Sequence, residues 1–187
     1  RKGEKINVED DRLFDKENPK IVISGTMGNV QNLDGINYFL DELYPVLPEY
    51  VDIVLTGKNP PAALIDKVSK YKNVTVIANP KDILKIINEC DIFVCPARLG
   101  GGIKIRIMDG LRCGLPIIAH KISARGYTYF KKKGYLYSFE NADGFSVAFN
   151  DVIEKIKNFP NLRYEIVDSC KTMTFENKLM DIKRYFV

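Results

Sequence analysis

Short runs of β-branched and aromatic residues recur along this chain, and between them apolar positions fall three and four apart. Residues 21–24, 51–56, 74–77, 92–95 and 115–119 are largely apolar runs that predict strands. A shorter run, Tyr135, Leu136 and Tyr137, predicts a sixth. After the first strand, Ile36, Phe39, Leu40 and Leu43 mark the buried face of a helix. Pro60 and Pro61 open a second helix carrying Leu64, Ile65 and Val68, because proline fits a helix's first turn. Ile83, Leu84, Ile86 and Ile87 predict a third, and a fourth is expected over 103–112. Beyond 137 the pattern is helical, with breaks near Pro160 and Thr172. Strands this apolar are covered on both faces, and right-handed crossovers put helices there. The pattern predicts a Rossmann-like α/β fold, a three-layer α/β/α sandwich with a mostly parallel sheet of about six strands. Ligands in such sheets bind beyond the carboxyl ends of the strands. The chemistry is therefore expected in the loops after Ser24, Thr56, Ile77, Cys95 and Ala119.

Residues 1–19 are dominated by charge and are expected to form a solvated lead-in, with one domain over 20–187. At 187 residues and 45% hydrophobic content the chain can close one sizeable core. Its 28 basic and 24 acidic residues leave a net charge of +4, too small for an overall nucleic-acid footprint. An anion must then be met locally. Cys90, Cys95, Cys113 and Cys170 form no C-x-x-C pair and His120 is the sole histidine, so no zinc-ligand spacing is present and no metal is expected. Small buried thiols in a reducing cytoplasm are the expected state of the cysteines. No apolar stretch reaches the ~20 residues that span a bilayer, and no signal-peptide pattern opens the chain. The first residue is Arg1, so the chain reads as a fragment or processed product.

The loop after the fourth strand holds Gly100, Gly101 and Gly102 and runs toward Ile103. Three glycines expose backbone amides and permit the close approach a phosphate needs, and a helix start behind them adds unpaired N–H groups. Alone they also fit a flexible surface loop. Lys104 and Arg106 would lie in the first turns of the expected helix, where a cation opposes the dipole by ~0.3–1 kcal/mol. A bound diphosphate would reverse that penalty. The alternative is that both side chains reach into water, with Arg106 pairing to Asp109. Asp109 could instead accept hydrogen bonds from sugar hydroxyls. His120, at the same sheet edge, reads more readily as a packing or capping residue than as a catalyst, and the direction of Arg125 is open.

These residues sit in "CPARLGGGIKIRIMDGLRCGLPIIAH", preceded in order by "SGTMGNVQNLDGINYFLDELYPVL" and "VDIVLTGKNPP". Together they resemble the C-terminal, donor-binding domain of family 4 retaining glycosyltransferases, from about Lys20 onward. "MTFENKLMDIKRYF" is similar to the family's closing helix. The resemblance implies a two-domain type B fold with the nucleotide sugar between its halves, of which one is present. Many members carry two acidic residues separated by seven others; those positions are Gly101 and Asp109 here. Many also place an arginine and a lysine after the first strand, where this chain has Thr26 and Asp34. A branch with a "GGG" loop takes its cations from the following helix, as Lys104 and Arg106 would allow. By the same resemblance Gly25, Thr26 and Gly28 would line the cleft, Gly57 and Lys58 would border the nucleotide, and Asn79 would present its main chain to the base.

The function these residues imply is transfer of a sugar from a nucleoside diphosphate sugar to an acceptor hydroxyl with retention. Lys104 and Arg106 would stabilise the leaving diphosphate with the glycine amides and Ile103, and Asp109 would orient the donor. No cofactor beyond the donor substrate is implied. The partner is the missing N-terminal, acceptor-binding domain, and any peripheral membrane association would come through it. The isolated half is expected to be inactive and cytoplasmic. Two alternatives stand beside this: a non-catalytic nucleotide-binding or scaffold module, and half of a sugar-nucleotide epimerase.

Overall fold

The computed structural model describes residues 14, 15 and 17–172. Its centre is a six-stranded sheet of β1 (Lys20–Ser24), β2 (Asp52–Gly57), β3 (Val74–Ala78), β4 (Ile92–Cys95), β5 (Ile117–His120) and β6 (Leu136–Phe139). The strands lie in the order β3-β2-β1-β4-β5-β6, and every pairing is parallel. The helices that cover the sheet are α1 (Val30–Tyr38), α2 (Ala62–Val68), α3 (Ile83–Asn88), α4 (Arg106–Arg112), α5 (Thr128–Lys132), α6 (Ala142–Asn158) and α7 (Leu162–Thr172). This is the Rossmann-like α/β/α sandwich expected from the strand pattern. Its strand order makes the β1/β4 boundary the point where the winding reverses, and crevices open there.

Four departures from the sequence pattern matter. The helix expected through Leu43 is regular only to Tyr38, then continues as a π-helical turn, Phe39–Leu43, and a 3-10 turn, Tyr44–Val46. That wider turn still buries Phe39, Leu40 and Leu43, so the apolar spacing was correct while the winding was not. The helix expected from 103 begins at Arg106, and α5 is an element the pattern did not disclose. The charged lead-in contributes Phe14 to the core, 7% exposed, with the Arg163 guanidinium 5.3 Å from its ring centre. Residues 1–13 and the closing segment after Thr172 lie outside the described residues.

The core is continuous through the sheet. Phe39, Phe93, Phe130, Phe145 and Phe149 are all fully buried beside the strand residues. At ~25 cal/mol per Å² of apolar surface, each such side chain contributes roughly 1.5–3 kcal/mol by leaving water. Gly110 of α4 faces Phe93, whose ring atoms would stand 2.7–2.8 Å from an added Cβ, so α4 lies flush on β4. Buried Asp91 accepts from the Lys20 N–H at 2.8 Å and the Asp15 N–H at 3.2 Å, fastening the start of β1 to β4. Cys90, Cys95 and Cys113 are buried free thiols, and Cys170 is half-buried and free.

Candidate functional site

The carboxyl edge of the sheet is built from loops bonded to one another. The Gly25 N–H donates to the Thr56 carbonyl, the Met27 N–H to Lys58 and the Asn79 N–H to Gly57, each at 2.8 Å. Gly57 is required at this junction: its φ is +151° and a Cβ would fall 1.5 Å from the Gly25 carbonyl oxygen. Asn29 caps α1 by accepting from the Gln31 N–H at 2.9 Å, and the Asn32 amide donates to the Thr26 carbonyl at 2.9 Å. Across the β1/β4 boundary, the loop after β4 passes so close to α1 that a Cβ on Gly35 would stand 2.9 Å from the Ala97 backbone.

Between these loops lies a cleft of ≈ 590 Å³. Gly25, Thr26, Gly57, Lys58, Ile103, Lys104, Arg106 and Asp109 line it, joined by Asn29, Gln31, Asn32 and the ends of β1 and β4. The sequence-predicted residues after β1, β2 and β4 are thus brought to one place. Gly28, Asn79, Gly100, Gly101 and Gly102 are not among the lining residues. Gly28 sits against Asn59, whose carbonyl oxygen would be 2.9 Å from an added Cβ. Asn79 adopts φ +50° and its side chain accepts from the Asn59 N–H at 3.0 Å, so its amide group braces one loop against another. Gly100 lies against the Gln31 side chain, while Gly101 and Gly102 have open space around them.

The cations differ from the expectation in one respect and match it in another. Because α4 starts at Arg106, Lys104 is in the loop, one residue ahead of the N-cap Ile105, and Arg106 alone of the two lies in the first turn. The amides at the helix start are partly used: Ile107 N–H donates to the Lys104 carbonyl at 3.0 Å and Met108 N–H to Ile105 at 2.9 Å. Upstream of them, no protein acceptor among the described residues takes the N–H groups of residues 101–106. The Lys104 ammonium donates to the Leu99 carbonyl at 3.1 Å and the Gln31 side-chain oxygen at 3.3 Å, both neutral. Arg106 extends back across the cleft to the loop after β1. Its guanidinium donates to the Thr26 hydroxyl at 3.4 Å, and its Nη1 would be 2.7 Å from a Cβ on Gly25. Burial pulls the Arg106 pKa down while the Asp109 carboxylate pushes it up, and arginine remains charged throughout.

Asp34, which stands where the family resemblance places a lysine, holds Arg98 through bonds of 3.1 and 3.3 Å. Arg98 also lies 3.7 Å from Glu42 and 4.4 Å from the Tyr38 ring centre. His120 is a packing residue, edge-on to Tyr38 and Phe139, accepting from the Ile122 N–H at 3.3 Å. Its pKa is lowered by burial first, then by Lys121. Arg125 is exposed and not among the cleft residues. Sequence reasoning missed Asn29, Gln31 and Asn32. The helix-start signal of an asparagine before an apolar-periodic run was there to find Asn29. No local signal marked Gln31 as a partner for a lysine 73 positions away.

The sequence profile of the family described as glycosyl transferases group 1 matches residues 18–155. This chain belongs to that family. A Klebsiella pneumoniae protein, described as an uncharacterized 44.6 kDa protein in the cps region, is 28% identical over 123 residues, covering 60% of this chain and 32% of that protein. Among solved structures, sucrose-phosphate synthase from Thermosynechococcus elongatus matches with a TM-score of 0.66 at 13% identity, over 92% of this chain and 46% of that one. Anabaena HepE in complex with UDP matches at 0.64 and 13% identity, over 91% and 50% of the two chains. The catalytic domain of cholesterol-alpha-glucosyltransferase from Helicobacter pylori matches at 0.61 and 18% identity, over 84% and 99%. The fold is that of the C-terminal domain of type B glycosyltransferases. This chain spans about a third of the Klebsiella protein's length. Among the described residues no helix is long and apolar enough to cross a membrane.

Proposed function

We propose that this chain is the donor-binding half of a retaining, family 4-like sugar transferase that uses a nucleoside diphosphate sugar. One observation carries the reading: Lys104 and Arg106 line a single cleft on the β1/β4 boundary together with Ile103 and Ile105, and no protein acceptor among the described residues takes the N–H groups of 103–106. Two cations whose hydrogen-bond partners among the described residues are neutral oxygens suit a diphosphate. As the bond from the anomeric carbon to the phosphate oxygen breaks, negative charge grows on that oxygen. Fixed donors aimed there stabilise the transition state more than the ground state. Asp109 orients the donor's hydroxyl groups. Arg106 replaces the arginine that many family members carry at the Thr26 position, reaching the same corner from the start of α4. HepE, solved with UDP and with UDP-glucose, is consistent with such a donor.

An N-terminal, acceptor-binding half completes the enzyme, so this half alone binds donor weakly and transfers nothing. Leu99, Ile103 and Ile105 stand exposed on the loop beside the cleft, 43%, 63% and 75%, a surface that a closing partner half would cover. The enzyme works in the cytoplasm and needs no cofactor beyond its donor.

The test is calorimetric titration of nucleosides, nucleoside diphosphates and their sugars into the chain and into a Lys104→Ala, Arg106→Ala double variant. Diphosphates should bind at least tenfold more tightly than nucleosides, as expected for charge-assisted hydrogen bonds worth about 1.5–3 kcal/mol. The double variant should lose that preference. An unchanged preference rejects the assignment.

A further inference from the structure

The turn that follows β5 holds the glycine loop from behind at both of its ends. At the near end, the Ser123 hydroxyl donates to the Ala97 carbonyl. At the far end, the Tyr127 hydroxyl donates to the Lys104 carbonyl at 2.8 Å, and the Ile103 side chain lies 3.0 Å from where a Cβ of Gly126 would be. The turn itself is anchored: Ala124 N–H donates to the His120 carbonyl at 3.0 Å and Tyr127 N–H to the Ala124 carbonyl at 3.2 Å. The Tyr127 ring is buried, 4% exposed, and tilted against Phe130. Burial pushes its pKa up to about 12, so the hydroxyl keeps its proton and remains a donor.

Lys104 needs such an anchor because its own loop supplies little. A Cβ added at Gly101 or Gly102 would meet only open space, and Ile103 and Ile105 are exposed on either side of it. Its carbonyl accepts both from Tyr127 and from the Ile107 N–H in the first turn of α4. That one oxygen therefore joins the loop, the helix start and the turn after β5. We propose that Tyr127 is a positioning residue for the anion cradle, fixing the Lys104 backbone so that its ammonium faces the cleft. The proposal rests on the reading of the cleft as a diphosphate site.

The experiment is a double-mutant cycle read with inorganic pyrophosphate, which removes any dependence on the base. Pyrophosphate is titrated into the chain, Tyr127→Phe, Lys104→Ala and the combination, with thermal melting of each. Tyr127→Phe keeps the buried ring and deletes one donor, so the expected weakening is about threefold to tenfold, the range for one neutral hydrogen bond. Because the tyrosine acts through Lys104, adding Tyr127→Phe to Lys104→Ala should weaken binding less than twofold further, where independent sites would simply add. Native affinity in Tyr127→Phe, or the same loss in both backgrounds, overturns the positioning role. An unaltered Lys104→Ala together with a null native titration overturns the cradle as well. A tenfold loss in Lys104→Ala beside an unaffected Tyr127→Phe removes the positioning role alone.

Discussion

Two arginines eight positions apart belong to the same segment and have opposite electrostatic surroundings. Arg98 lies outside the cleft, gripped by Asp34, near Glu42 and stacked on Tyr38. Its charge is spent within the protein, tying the loop after β4 to α1. Arg106 crosses the cleft to a neutral hydroxyl, with Asp109 near enough to influence it. The difference teaches that a basic residue near a cleft is a ligand-binding candidate only where the fold leaves it without a full counter-charge. Sequence cannot separate the two, since they flank the same glycine run in one loop-to-helix segment.

The largest effect should come from disturbing the frame that keeps Arg106 in place. Gly57→Ala puts a methyl group into the Gly25 carbonyl at a left-handed φ, so a stability loss of about 3 kcal/mol is expected in chemical denaturation. Arg106→Ala should then cost about tenfold to a hundredfold in nucleoside diphosphate affinity with its melting temperature nearly kept. Arg98→Ala should do the reverse, changing affinity by less than about threefold. Its half-exposed ion pair should contribute ~0.2–1 kcal/mol of stability. If both arginines moved affinity alike, the contrast drawn between them would be wrong.

A pH series separates stability from binding at the same sheet edge. His120 has a lowered pKa when folded, so below its ordinary value near 6.5 the unfolded chain takes up a proton that the folded chain resists. Stability should therefore be complete above that value and fall as pH drops through it toward the lowered folded pKa. His120→Gln should flatten this part of the melting curve against pH. Asp34→Asn gives the smallest effect, a shift of ~0.5 kcal/mol or less, with affinity for diphosphates held within about twofold.

How far the residues could be read in advance differs between fold and site. Strand positions were legible because a strand covered on both faces must be apolar at nearly every position. The core spacing of Phe39, Leu40 and Leu43 was also legible, although the π-helical turn that carries them was not. A wider turn changes which carbonyl each N–H meets without moving the apolar side of the segment. The helix start at Arg106 was misplaced by three residues because Ile103, an apolar residue at helical spacing, faces the solvent instead. The difference in role between Arg98 and Arg106 depended on Asp34 and Thr26, residues more than 60 positions away in sequence.

By itself the sequence determined the layered α/β architecture, the carboxyl edge as the place for chemistry, and the family likeness, because each follows from local apolar pattern or contiguous motif. Only the tertiary structure decided which cations stay available, which glycines line the cleft, and that Tyr127 reaches the Lys104 carbonyl. Those outcomes hinge on distances between loops that parallel crossovers bring together, and a counter-charge or hydrogen bond acts through space with no trace in local spacing.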